Sequence, residues 1–254
     1  MATAVAAVLV VVAAVVIQGN GSATPSAPAS DDVVAKVDGI AIPMREFALY
    51  LDQDRSAVVA FLQQRFGAQD GASFWTTRFA GKTASEWLEA AALADVTRTT
   101  VQFELASRYK LVLSPSYADF VTAWQTENER RAQAVANHQP IYGPQQYTES
   151  NYLSYVVGNL AYALQDKLAA DGTFDTSDAT LQAYYLKHAS DFTTNQIGPA
   201  PINFEPVKLQ VRLASLDAQY RALIDRRVAS ARVTTTADLA RLVSSGCIAV
   251  GACS

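Results

Sequence analysis

The stretch from Thr83 to Lys110 constrains the fold more than any other part of the chain. It opens with Thr-Ala-Ser-Glu, in which a hydroxyl stands three residues before a carboxylate, the spacing of a helix-capping box. Apolar residues then recur at steps of four, four and seven positions, which places them on one face of a helix. The stretch therefore predicts a long amphipathic helix that packs one side against a core. The recurring residues are Leu88, Ala92, Val96 and Phe103.

The rest of the chain predicts a mainly α, multi-helix domain with a short N-terminal β hairpin. Residues 33–42 alternate in polarity around Asp38-Gly39, a pair typical of tight hairpin turns. We expect the C-terminal helix to pack back on the domain. Four further helices are predicted over the ranges Arg45 to Phe66, Gln145 to Ala170, Glu205 to Ala231 and Thr235 to Ser244. Two more are predicted from their starts: one is capped by Ser114, with Pro115 in its first turn, and the other is capped by Ser177.

Composition restricts the partners. Half of the residues are hydrophobic and 17% are charged, which is enough apolar material for a folded core. The net charge is −4, and no run of Lys or Arg offers a local basic surface. We therefore expect no nucleic-acid partner.

An apolar run occupies the N-terminus. From Ala2 to Ile17 there are sixteen residues without a charge, fewer than the roughly 20 that a membrane span needs. Small residues and prolines follow up to residue 30, as in a linker. Residues 1–30 are therefore predicted to be a signal peptide or a membrane anchor plus linker. Either alternative places the protein outside the cytoplasm, in the cell envelope or secreted, and an uncleaved run would make the membrane a partner.

Cys247 and Cys253 lie six positions apart near the C-terminus. In an oxidising compartment they could form a disulfide, and free thiols are the alternative. With no His nearby they make an incomplete metal-ligand set, so we predict no metal site.

The chain has no HExxH, GxSxG or glycine-rich phosphate loop. Its two histidines, His138 and His188, are fifty residues apart in different predicted elements. We assign no catalytic residues and expect no cofactor.

Three segments, taken in order, resemble a known family. They are VVAKVDGIAIPMREF, ALADVTRTTVQFELASRYKLVLSPSYADFVTAW and AYYLKHASDF, the last with Tyr184, Tyr185 and a closing Phe192. Their order and spacing resemble the N-terminal-type domain of the SurA/PrsA extracytoplasmic chaperones. The resemblance covers residues 33–192 and a final helix from Phe204. It implies a helical domain that binds unfolded polypeptides.

The chain departs from that family at one position. Enzymatic members carry a parvulin-type prolyl isomerase domain between the double-tyrosine helix and the final helix. Here that interval, residues 193–203, is eleven residues long, whereas a domain needs about 50. We therefore predict a helical domain over residues 31–192, a Pro-rich connector and a C-terminal part, residues 204–254, that completes the domain.

These observations favour an exported chaperone or foldase-like protein that binds unfolded or secreted polypeptides without catalysis. A helical scaffold for one dedicated cell-envelope partner and a parvulin-type prolyl isomerase are the alternatives. Phe74, Trp75 and Phe79 lie in a glycine-bounded loop and are the predicted client-binding residues. The alternative for these three side chains is a satellite core beneath the loop.

Overall fold

The computed structural model describes residues 31–69, 71, 73–192 and 204–244. Within these ranges the chain forms seven α-helices and five short strands, which confirms the predicted mainly α class. The predicted signal peptide or anchor, the connector of residues 193–203 and the two cysteines lie outside the described residues. The elements are β1 (Val33–Val37), β2 (Ile40–Pro43), α1 (Met44–Phe66), β3 (Arg78–Phe79), β4 (Lys82–Thr83), α2 (Ala84–Arg108), α3 (Tyr117–Ala136), α4 (Glu149–Ala170), α5 (Asp178–Lys187), α6 (Phe204–Ser230), β5 (Val233–Thr235) and α7 (Ala237–Ser244).

The N-terminal hairpin forms as predicted. Strands β1 and β2 pair antiparallel, and Asp38 and Gly39 in the turn both have positive φ angles, 51° and 86°. Two positive φ angles give a turn whose twist matches that of the flanking strands. Strand β5 pairs with the other edge of β1, so the small sheet has the order β2-β1-β5. The sequence reasoning did not predict β5.

Helix α2 begins at the predicted capping box. The Thr83 hydroxyl accepts a hydrogen bond from the Glu86 amide at 3.2 Å, and the Glu86 carboxylate accepts one from the Thr83 amide. The first-turn amide that would otherwise lack a partner is thereby satisfied. Helix α1 ends at Gly67, whose left-handed conformation lets its amide bond to the Gln63 carbonyl.

The predicted start of α3 was wrong by two residues. Ser116, not Ser114, caps the helix and accepts a hydrogen bond from the Asp119 amide at 3.2 Å. Pro115 precedes the cap instead of standing in the first turn. The Ser114 hydroxyl bonds to the Ser116 hydroxyl and the Asp119 carboxylate, so it supports the cap from outside the helix.

The main core lies where α1, α4, α6 and α7 pack against α2. The second half of α6 enters this core, and Arg98 on α2 donates to Asp225 on α6 at 2.7 Å. The prediction that the C-terminal helix packs back is thereby confirmed. Fully buried side chains of this core include Phe47, Leu62, Leu88, Val96, Leu164, Leu168, Leu216 and Leu239.

The first half of α6 extends beyond this core and packs with α5. A second, smaller apolar cluster holds the two helices together around Leu181, Tyr185 and Val211. Lys208 on α6 forms an ion pair with Asp178 on α5 at 2.7 Å. None of the described helices is long and apolar enough to cross a lipid bilayer.

Candidate binding groove

An open apolar groove runs between the C-terminal end of α2, the first half of α3 and the part of α4 from Tyr152 to Ala163. Its volume is about 690 Å³. The deepest lining side chains are Phe103, Phe120 and Leu160, which are buried and belong to a different helix each. An apolar groove of this size on a protein surface is typical of a binding site.

The end of the groove is shaped by the way α2 terminates. Lys110 adopts a left-handed conformation with φ +58°, and the Leu111 amide returns to the Ala106 carbonyl at 2.9 Å. The chain then crosses the end of the groove through Leu113 before α3 begins. The Leu113 side chain is 93% exposed although it is apolar. A large side chain left in solvent at a groove's edge is available to a bound partner.

One wall of the groove carries a cluster of tyrosines. The ring centroids of Tyr147, Tyr152 and Tyr155 lie 5.4–6.2 Å apart, and Phe120 on α3 lies 5.6 Å from Tyr152. Tyr152 and Tyr155 are three residues apart on α4, so they share one face of the helix. Tyr155 is 51% exposed. The cluster offers a large, rigid contact area at little cost in side-chain entropy.

A buried arginine fixes this wall. Arg131 on α3 is 5% exposed and donates to the Tyr142 carbonyl at 2.9 Å and to the Pro144 carbonyl at 2.6 Å. Its guanidinium lies 4.4 Å from the centre of the Tyr147 ring, and it pairs with Glu127 at 2.7 Å. The loop between α3 and α4 is therefore tied to α3. The sequence reasoning missed Arg131; its one signal is the four-residue spacing from Glu127.

The same loop explains why α4 begins later than predicted. Asn128 donates to the Tyr147 carbonyl at 2.9 Å and accepts from the Tyr147 amide at 2.8 Å, and the Trp124 indole also donates to that carbonyl. Tyr147 is thereby held in an extended segment, and Thr148 becomes the cap of α4. The predicted start near Gln145 was therefore wrong by four residues.

Few charged groups line the groove. Asp119 accepts a hydrogen bond from the Ser114 hydroxyl, so its carboxylate is already engaged. Lys110 is the only cation among the lining residues, and within the described part of the chain its ammonium group has no ion-pair partner. Asn159 adds a neutral polar group on α4. The groove can therefore hold an apolar surface that carries few polar groups.

The predicted client-binding residues lie elsewhere, at the opposite end of α2. Phe74 is 3% exposed and belongs to the main core, while Trp75 and Phe79 are half-buried against it. The Phe74 ring centroid lies 4.9 Å from Trp75 and 6.0 Å from Phe79. The three side chains thus extend the core beneath their loop. Their role in client binding stays a prediction.

Two carboxyl groups with raised pKa values lie outside the groove. Burial raises the pKa of Glu46 on α1 to about 8. Burial and the neighbouring Asp95 raise the pKa of Asp54 to about 6. Nearby, Arg45 forms an ion pair with Glu149 at 3.1 Å. Within residues 31–69, 71, 73–192 and 204–244, no group of three or more His, Cys, Asp or Glu side chains could hold a metal ion.

The fold and the groove define a helical protein with an open apolar binding surface. In a comparison with known proteins, the chain is similar to a chaperone for lacto-N-biosidase from Bifidobacterium longum subsp. longum. The chain is 24% identical to it over 194 residues, which are 76% of this chain and 68% of the relative. No family model matches the chain, and no solved structure gives a significant match.

Proposed function

We propose that this protein is a non-catalytic chaperone that acts outside the cytoplasm and binds a client polypeptide while the client folds. The observation that carries the proposal is the open groove of α2, α3 and α4, with its apolar lining and exposed tyrosine wall. The similarity to a protein named a chaperone supports it.

The physical basis is reversible burial of apolar surface. An unfolded client exposes apolar side chains. Without a chaperone, these side chains contact those of other unfolded copies, and the client aggregates. A groove lined by aromatic and aliphatic side chains covers such surface without covalent chemistry, because removal of apolar area from water is itself favourable. The exposed Leu113 and Tyr155 are the first side chains that a client would meet.

The choice between one client and many follows from the relative's name. That protein is named for a single enzyme, a lacto-N-biosidase. We therefore propose that this chain also serves one dedicated client, a secreted or surface enzyme of the lacto-N-biosidase kind. The order of its helices, which resembles the SurA/PrsA chaperones, supports the proposal of an extracytoplasmic foldase. Its apolar N-terminal run supports export.

The proposal is tested by refolding. Denatured lacto-N-biosidase of the Bifidobacterium relative and two unrelated denatured enzymes are diluted into buffer with or without the full chain. We expect a higher yield of active lacto-N-biosidase at near-equimolar chaperone. A general holdase would suppress the light scattering of all three proteins. No effect on yield or scattering of any of them would disprove the proposal.

Two further measurements separate the alternative functions. A proline-limited refolding reaction accelerated by substoichiometric chain would identify a prolyl isomerase instead. Binding to the folded enzyme without any gain in refolding yield would identify a scaffold for one partner.

A further inference from the structure

The groove has no sheet edge. Its lining residues belong to α2, α3, α4 and the segment between α2 and α3, all within the described part of the chain. Backbone groups within those helices already bond along their own helix. An extended peptide laid in the groove would therefore find few partners for its amides and carbonyls. Each unpaired backbone group held against apolar side chains costs free energy.

A helix avoids this cost because its backbone groups bond within the segment itself. We infer that the groove binds the client as an amphipathic helix whose apolar stripe ends at an acidic side chain. The inference rests on the proposed function and names the form of client that the groove accepts.

The spacing of the lining residues on α4 fits a further helix, supplied by the client. On α4 the lining residues Tyr152, Val156, Asn159 and Ala163 follow one another at three or four positions, so they form a ridge along the groove. Ala123 on α3, a small residue, lines the facing wall. Large side chains at i, i+3, i+4 and i+7 of a client helix would enter the space between these walls.

Charge fixes the direction in which the helix lies. Lys110 stands at the end of the groove next to α2 and is free of an ion pair among the described residues. The Asp119 carboxylate is already bonded by Ser114. The favoured complement is therefore one acidic residue on the client helix, at the end of its apolar stripe that meets Lys110.

The test uses three labelled peptides and the full chain, with binding followed by fluorescence anisotropy. The first peptide, about 16 residues long, places leucines at i, i+3, i+4 and i+7 and ends the stripe with glutamate. The second has the same side chains with one central proline, which breaks the helix. The third replaces the glutamate by lysine. We expect the proline to weaken binding about tenfold or more and the lysine to weaken it about threefold.

Matched variants of the chain locate the binding. Tyr155→Asp changes a groove tyrosine on α4, while Tyr162→Asp changes a tyrosine on the same helix that is 72% exposed and does not line the groove. We expect the first variant to weaken binding of the helical peptide about tenfold and the second to leave it unchanged. Lys110→Glu should reverse the preference between the glutamate and lysine peptides.

Several results would overturn the inference. They are equal or tighter binding of the proline peptide, no binding of any peptide, and equal losses in the two tyrosine variants. A full chain that is dimeric, and that Tyr155→Asp makes monomeric, would show that a second copy covers the groove. If the peptides fail while the chain still raises the refolding yield of lacto-N-biosidase, only the helical form of the client is wrong. If both fail, the proposed function fails with it.

Discussion

Glu46 shows how far one residue's surroundings can depart from its sequence context. A glutamate in the first turn of a helix is normally solvated, and its negative charge stabilises the helix by interacting with the helix dipole. Here α2 and the start of α3 cover it, and together with Thr99 and Tyr117 it lines a small cavity. Burial raises the pKa of Glu46 to about 8. The charged form of this side chain therefore opposes folding.

The sign of the pH dependence follows from that shift. An unfolded glutamate titrates near 4.5, so between pH 4.5 and about 8 the folded state holds a proton that the unfolded state has lost. Stability from this group is complete below pH 4.5 and falls as the pH rises toward 8. We expect Glu46→Gln to raise the free energy of unfolding by about 2–4 kcal/mol at pH 8 and by much less at pH 5. Urea titrations monitored by circular dichroism measure the free energy of unfolding at each of the two pH values.

A matched control is Glu129→Gln, which removes an exposed carboxylate on α3. It should leave the urea midpoint unchanged at both pH values. An equal gain for Glu46→Gln at pH 5 and pH 8 would show that the effect is not proton linkage.

Residue-scale burial was the part of the molecule that the sequence predicted least. Glu46 is buried by α2 and α3, which follow later in the chain, and Arg131 is buried by the loop that follows its own helix. For Phe74 the sequence left client contact and core packing open, and the side chain is 3% exposed because its loop packs against α1 and α2. Local sequence patterns do not show which other segment of the chain will bury a given side chain.

At the scale of elements, local chemistry was a better guide. Helix starts at Thr83 and Ser177 were predicted from capping residues and are confirmed, because a cap depends on neighbours within four positions. Strand β5 was missed because its three residues are all exposed and are ordered by pairing with β1, about 200 residues earlier. The groove was missed for the same reason, since its lining comes from three helices.

The loop between α3 and α4 is an element whose order depends on one side chain. Arg131 donates to two of its carbonyls and stacks on Tyr147. Lysine keeps the charge but lacks the planar fork, so it cannot make these contacts together. We expect Arg131→Lys to lower the free energy of unfolding by about 2 kcal/mol and to speed hydrogen exchange in residues 140–148.

The control for this element is Arg130→Lys, since Arg130 is exposed and, among the described residues, forms an ion pair with Glu127 alone. Arg130→Lys should leave both the free energy of unfolding and the hydrogen exchange in residues 140–148 nearly unchanged. If Arg131→Lys speeds exchange equally throughout the chain, the loss is global and the arginine does not act on the loop in particular.

At the scale of the whole molecule, the two ends of the described chain hold each other. Asp38 in the N-terminal turn accepts a hydrogen bond from the Arg232 amide at 2.8 Å and donates its own amide to the Arg232 carbonyl. Strand β5 then pairs with β1, and α7 packs against both β1 and α2. The C-terminal segment, β5 and α7, thus packs on the same core that supports the groove helices.

Because the two ends are held together, a substitution on α7 should also destabilise β1. Leu239 on α7 is fully buried in the main core, and truncation of such a leucine costs about 2–5 kcal/mol. We expect Leu239→Ala to lower the urea midpoint and to speed amide exchange in Val34–Val37, because α7 and β5 would loosen together. Leu209→Ala, on an exposed part of α6, should do neither. Faster exchange confined to α7, with β1 unchanged, would mean that the sheet is stable without the packing of α7.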